Sequence, residues 1–170
     1  MLKYTKIYCK RTGKGVSYMK LAEALIERAE IQKRNAQLFN RITSNVMVQE
    51  GDTPAEKPEE LISEYDENMK RLLFLVQKIN KTNDTIPFEN GTISDAIAQR
   101  DNLKAKIGIY RSIYEAATIR QERYNVKEIK FVRCIDVKAL QHNINELSKK
   151  YRQLDTKLQG LNWTVDLIED

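Results

Sequence analysis

The 170-residue sequence predicts a mainly α-helical fold: a long, antiparallel, coiled-coil-like four-helix bundle with a small β-hairpin and strand insertion, assembling as an oligomer. Three observations predict it. Apolar residues recur at alternating steps of three and four through four long stretches. Turn formers (Gly, Pro, Asn-Gly) separate those stretches. No apolar run approaches the about 20 residues of a membrane-spanning helix.

The first helix is expected over about residues 19–50, on the seam Ala22, Leu25, Ala29, Gln32, Ala36, Phe39, Thr43 and Val46. "GDTPAEKPEE" stops it. Gly51 and Asp52 form turns, and Pro54 and Pro58 cannot continue a helical ladder, although Pro58 suits the first position of the next helix. The second helix, about 58–83, has the seam Ile62, Tyr65, Met69, Leu72, Val76, Ile79 and Asn83. Two long seams joined by a short loop imply an antiparallel hairpin.

"TIPFENGTISD" places Asn90-Gly91 between short apolar runs, the signal for a tight β-hairpin over about 85–93. Thr92 or Ser94 caps the third helix, about 94–122, with Asp95 in its first turn, where the helix dipole favours an acid. Its seam is Ala96, Arg100, Leu103, Ile107, Tyr110, Tyr114 and Ala117. "YNVKEIKFVRCID" then changes period, with Ile129, Phe131 and Ile135 alternating against Lys130 and Arg133, which predicts a β segment over about 127–135. Asp136 caps a fourth helix, about 137–160, on the seam Val137, Leu140, Ile144, Leu147, Tyr151, Leu154, Leu158 and Leu161.

Such long helices make a slender core. Leu21, Ile26, Leu38, Ile42, Leu73 and Leu75 fall on second faces, so a homo-oligomer is expected to cover some of them.

The 29 basic and 24 acidic side chains give a net charge of +5, but its distribution is uneven. Lys3, Lys6, Lys10, Arg11, Lys14 and Lys20 fall in the first 20 residues with no acid beside them, which leaves −1 for the remainder. Residues 1–18 therefore read as a basic N-terminal extension ahead of a single helical domain over 19–170. An arm touching nucleic acid phosphates is the alternative for that extension; the neutral body argues against a nucleic-acid-binding face. The first 18 residues have no unbroken apolar core, so no secretory signal is read and the expected location is cytoplasmic.

Motifs for chemistry are scarce. Cys9 and Cys134 have no metal-ligand or disulfide spacing. "TGKGVS" at Thr12–Ser17 misses the spacing of a phosphate loop. His142 is the sole histidine and lies off the seam of the fourth helix, as a solvated residue would. Carboxylate pairs such as Glu59/Glu60 and Glu23/Glu27 fall on lysine-rich outward faces. The expectation is a protein that is not an enzyme and carries no cofactor or metal.

From Met19 onward the text resembles a bacterial family often labelled septicolysin-like and otherwise of unknown function. The likeness rests on "MKLAEALIERAEIQKR", "VQEGDTPAEKPEEL", "INKTN", "TISDAIAQRDNL", "EIKFV" and "LDTKLQGLNWTVDL". That label implies a cytolytic or pore-forming role, whereas the sequence lacks a segment suited to entering a bilayer.

Polar residues at helical positions supply the remaining functional signal. Gln32, Asn80, Asn83 and Arg100 are expected to share one polar layer, with Gln32 level with Val76. Arg120, Arg123, Lys127, Lys130 and Arg133 form a basic group at the opposite end. Arginine forks suit phosphate or carboxylate, and asparagine amides suit a base or sugar edge. The layer, or the basic group at a subunit boundary, is expected to sequester a small anionic, nucleotide-like ligand; a scaffold for partner helices and the cytolytic role are the alternatives. Arg100 has a structural reading as well, in which it pairs with Asp101 or a neighbouring acid and fixes helix register.

Overall fold

The computed structural model describes residues 18–118 and 132–169. Among them are four helices, α1 (Leu21–Asn45), α2 (Pro58–Thr85), α3 (Ile93–Thr118) and α4 (Val137–Thr164), and a hairpin of β1 (Pro87–Phe88) and β2 (Gly91–Thr92). The chain forms two compact units: residues up to Ile86 together with those from Leu161 onward, and residues Pro87–Gly160.

In the first unit α1 and α2 pack antiparallel, with their register set by polar contacts. Arg71 grips Glu27 with two parallel hydrogen bonds of 2.7 and 2.9 Å, both side chains being less than one-third exposed. One helical turn or so further along, the Asn68 amide donates to Asn35 Oδ1 at 3.0 Å, and Asn35 Nδ2 meets Met69 Sδ at 3.4 Å. At the loop end Arg41 pairs with Glu56, whose backbone N–H donates to Asn45 Oδ1 at 3.0 Å. Pro58 opens α2 at its first turn, where a missing N–H costs no helical hydrogen bond.

The seam of α1 runs through Leu21, Ala24, Arg28, Ile31, Asn35, Leu38, Ile42 and Asn45, all buried or half-buried. It therefore lies one residue ahead of the expected seam, of which Ala29, Gln32, Ala36, Phe39, Thr43 and Val46 are exposed. On α2 the seam is Leu61, Tyr65, Asn68, Leu72, Leu75, Ile79 and Thr82, so Tyr65, Leu72 and Ile79 are shared with the expectation, while Ile62 and Met69 face outward. The reason is chemical. The true α1 seam holds Arg28, Asn35 and Asn45, and hydrophobic periodicity favours the neighbouring stripe, which has no charged residue. Leu21, Leu38, Leu75 and Ile79 are at most 1% exposed, and each stabilises the pair by about 1.5–3 kcal/mol.

The tail after α4 completes this unit. Met19–Leu21 and Val165–Leu167 pair antiparallel through Leu21 N–H to Val165 O (3.0 Å) and Leu167 N–H to Met19 O (2.8 Å). Lys20 Nζ reaches both Thr164 O and Asp166 there. Leu167 is 3% exposed, and the Ile168 N–H donates at 3.0 Å to the fully buried Thr82 hydroxyl, which itself donates to Lys78 O.

In the second unit the β-hairpin forms where Asn-Gly predicts it, shifted by one residue. Pro87 pairs with Thr92 and Phe88 with Gly91, so the turn residues are Glu89 and Asn90, and Glu89 carries the positive φ of 48°. Gly91 is required for another reason: a Cβ there would lie 2.6 Å from Asp95 Oδ2. That carboxylate accepts from both the N–H and the hydroxyl of Thr92 at 2.9 Å, and Asp95 N–H returns a bond to Thr92 Oγ1. Thr92, of the two candidates, is thus the cap of α3. These hydrogen bonds, the backbone one foremost, hold the Asp95 carboxyl below its ordinary range.

The seams of α3 and α4 match the expected ones at every described position, being buried or half-buried throughout. Asp136 caps α4 through Oδ1, which accepts from Lys138 and Ala139 N–H at 2.8 and 3.1 Å. Arg100 on α3 lies 3.7 Å from Asp155 on α4, so the two helices run antiparallel, as the residues lining the groove between them also require. Of the second β segment, residues 127–131 lie outside the described ones and 132–135 form no strand. The N-terminal extension lies outside them as far as residue 17.

Candidate functional site

In an antiparallel helix pair, the residue one step after each seam position falls along the same edge of the pair on both helices. On α3 and α4 that step gives Lys104, Gly108, Arg111 and Glu115 opposite Gln141, Asn145, Ser148 and Arg152. These residues line an open groove in two adjoining parts. One, of about 330 Å³, is floored by Ile144 and walled by Tyr114; the other, of about 450 Å³, is floored by Ile107 and walled by Tyr151. Arg111, Ser148 and Arg152 belong to both.

The local sequence explains the shape. Gly108 has nothing within 4 Å of where its Cβ would stand, so the edge is notched there, and Ser148 is the small residue on the other helix. Gln141 donates to Asn145 Oδ1 at 3.0 Å, which fixes two amides at the far end. Glu115 is the lone acid among the lining residues, against Lys104, Arg111 and Arg152. Among the described residues none of these three cations takes part in a salt bridge. The groove therefore offers two planar guanidinium forks and an ammonium to an anion, with tyrosine rings and amides beside them.

The expected site residues are distributed differently. Gln32 is exposed on α1, and the Glu27–Arg71 and Asn35–Asn68 contacts put it level with Asn68–Arg71, not with Val76. Asn80 is exposed and Asn83 half-buried on α2, about 15 Å farther along that helix by its rise per residue. Those three do not form one layer. Arg100 belongs to the second unit, where its fork is engaged by Asp101 at 2.8–3.0 Å with Asp155 nearby, which is its structural reading. Arg120, Arg123, Lys127 and Lys130 lie outside the described residues. Arg133 is exposed and donates through Nε to Ala117 O at 2.8 Å, satisfying a carbonyl in the last turn of α3.

The groove residues were accessible to sequence reasoning. With the α3 and α4 seams in hand, one further step along each helix gives the whole edge, on which Lys104 and Arg111 stand seven residues apart. His142 and Cys134 are both exposed and stand apart from this lining. Among the described residues no three His, Cys, Asp or Glu side chains gather as a metal site, and no helix is long and apolar enough to cross a membrane.

Fold and groove together define a helical protein built on paired antiparallel helices with a cationic edge. The chain belongs to a family of unknown function, DUF6847, whose model matches residues 28–167. It is similar to a solved structure, described as a functionally unknown conserved protein from Corynebacterium diphtheriae. The two share 39% identity with a TM-score of 0.84, over 89% of this chain and 100% of that one. No curated protein matches. None of these likenesses links the chain to septicolysin-like proteins.

Proposed function

We propose that this protein is a non-enzymatic binding protein that sequesters a small anionic, nucleotide-like ligand in the α3/α4 groove. The observation that carries the reading is the convergence of Lys104, Arg111 and Arg152, without salt-bridge partners among the described residues, on a notch at Gly108 and Ser148. The groove's dimensions fall in the range of small-molecule sites, which run from about 300 to 1,000 Å³. Phosphate or carboxylate oxygens would take the guanidinium forks, while Tyr114 or Tyr151 would give a flat ring for a base to rest against. This reading places the ligand on the second unit and moves it away from Gln32, Asn80 and Asn83. Among the described residues no comparable group stands behind the cytolytic role that a septicolysin-like label would imply.

Isothermal titration of the purified full chain against mono-, di- and cyclic nucleotides and inorganic phosphate tests it. Saturable heat is expected with at least one nucleotide. Arg111→Ala, Arg152→Ala and Gly108→Gln are each expected to abolish that heat while leaving the thermal melt unchanged, because all three positions are exposed. No heat with any of these ligands, or heat unaffected by the three substitutions, overturns the reading.

A further inference from the structure

The same edge of the α1/α2 pair has the opposite chemistry. One step past the seam on α1 come Leu25, Ala29, Gln32, Ala36, Phe39, Thr43 and Val46; on α2 come Ile62, Asp66, Met69, Leu73 and Val76. Phe39 is 63% exposed, Leu73 59%, Val46 54%, Ile62 45% and Met69 41%. Asp66 is the lone charge in the two rows. The opposite edge of this pair is closed by ion pairs, Glu27–Arg71 and Arg41–Glu56. An ordinary solvated helix pair has charged residues on both edges. Here one edge keeps a second heptad-spaced seam that the described residues leave exposed.

We infer that this edge is a homodimer interface, in which a second copy of the chain lays its own α1/α2 edge against the first about a two-fold axis. Area and charge argue for that occupant. The five large apolar side chains leave on the order of 500 Å² open, and the exposed Ala29, Gln32, Ala36 and Thr43 enlarge the face toward the about 800 Å² that each partner gives a standard interface. A nearly uncharged face gains nothing from a charged partner and loses least by desolvation against another uncharged face. Shape points the same way. The α1 row is small at Ala29 and Ala36, seven residues apart, and the α2 row is large at Ile62 and Met69, also seven apart. A two-fold axis sets the large row of each copy over the alanine row of the other, so that one surface complements itself. The result is a four-helix arrangement with the intrachain seams inside each half.

Sedimentation velocity and light scattering on the full chain across the micromolar range test this, with two substitutions at exposed positions on different helices. The parent is expected to dimerise. Phe39→Glu and Leu73→Glu are each expected to raise the dissociation constant by about 30-fold or more, as loss of a central apolar anchor does. Far-ultraviolet circular dichroism of both variants at low concentration is expected to match the parent's, and Lys33→Glu, exposed and outside both rows, is expected to stay dimeric. A parent that is monomeric throughout overturns the inference and leaves the face to a different protein. A dimer that survives both glutamates overturns it too, since the two copies then meet elsewhere.

Discussion

Beside the α1/α2 seam stand Phe39, Ile62, Met69 and Leu73, exposed and apolar; beside the α3/α4 seam, at the same steps, stand Lys104, Arg111, Gln141 and Arg152. Inside the pairs the order is reversed. The α1/α2 seam holds Arg28, Asn35, Asn45, Asn68 and Thr82, while the α3/α4 seam is apolar and aromatic apart from Arg100. Polarity has been exchanged between core and edge. A pair whose core is partly polar gains less from its own seam, so an apolar edge that can associate adds to its stability. The α3/α4 pair instead keeps its apolar side chains in the seam and its cations at the edge.

The sharpest break of this comparison is a single-residue shift on α1. Leu38→Asp puts a charge at a position that is 0% exposed and is expected to lower the unfolding free energy by about 3–5 kcal/mol. Phe39→Asp, its immediate neighbour, is expected to change the melt of the dilute protein by about 0.5 kcal/mol or less. Equal losses in urea unfolding would overturn the register described for the first unit.

Ion pairs in the two units should differ next. Arg71→Leu removes the two-bond grip on Glu27 in a site where both side chains are less than one-third exposed, and a loss of about 2 kcal/mol is expected. Lys157→Ala removes the exposed pair with Glu89 in the second unit, where chemical denaturation should register at most about 0.5 kcal/mol. If the second loss matched the first, ion pairs would not be what distinguishes the α1/α2 edge.

Thr82→Val keeps the shape but removes the acceptor for Ile168 N–H, for an expected cost of about 1–2 kcal/mol. Hydrogen exchange should show the Ile168 and Leu167 amides losing protection first, since the tail is tied down there and at Met19. Unchanged protection would mean that Leu167 burial alone holds the tail.

Acid sensitivity is the smallest expected effect and should appear in both units. Glu56 is held below its ordinary range by the hydrogen bond from Arg41, and Asp95 by those from Thr92. A carboxyl depressed in the folded state stabilises it fully above the unfolded values, which lie at about pH 4, and the contribution is lost as pH falls through the folded ones. Melting temperature is thus expected to decline below about pH 4, and Asp95→Asn should flatten part of that decline. An identical acid profile in the Asn variant would remove the capping box from the account.

Regular apolar spacing made α3 and α4 legible: Ala96, Leu103 and Ile107, and Leu140, Ile144, Leu154 and Leu158, recur at seam steps. Caps were equally legible, because Thr92, Asp95 and Asp136 act on backbone groups two or three residues away. The groove lies one step from those seams, whereas Gln32 is separated from Asn80 and Asn83 by the α1/α2 register, which no local pattern encodes.

The sequence by itself determined the four helices, the opening of α2 at Pro58, the site of the hairpin and the seams of the second unit, while α1 ends at Asn45, ahead of the expected stop at Gly51. These rest on interactions that are local or periodic, and short-range chemistry is written in order along the chain. Only the tertiary structure decided which of two adjacent α1 stripes packs inward. It did so through Arg71 with Glu27 and Asn68 with Asn35, contacts between residues more than 30 positions apart. It also decided that the last residues return, with Leu167 buried and Ile168 bonded to Thr82 across 86 positions. A polar side chain in a seam is tolerated when a partner satisfies it, and that partner's position is known only once both helices are in place.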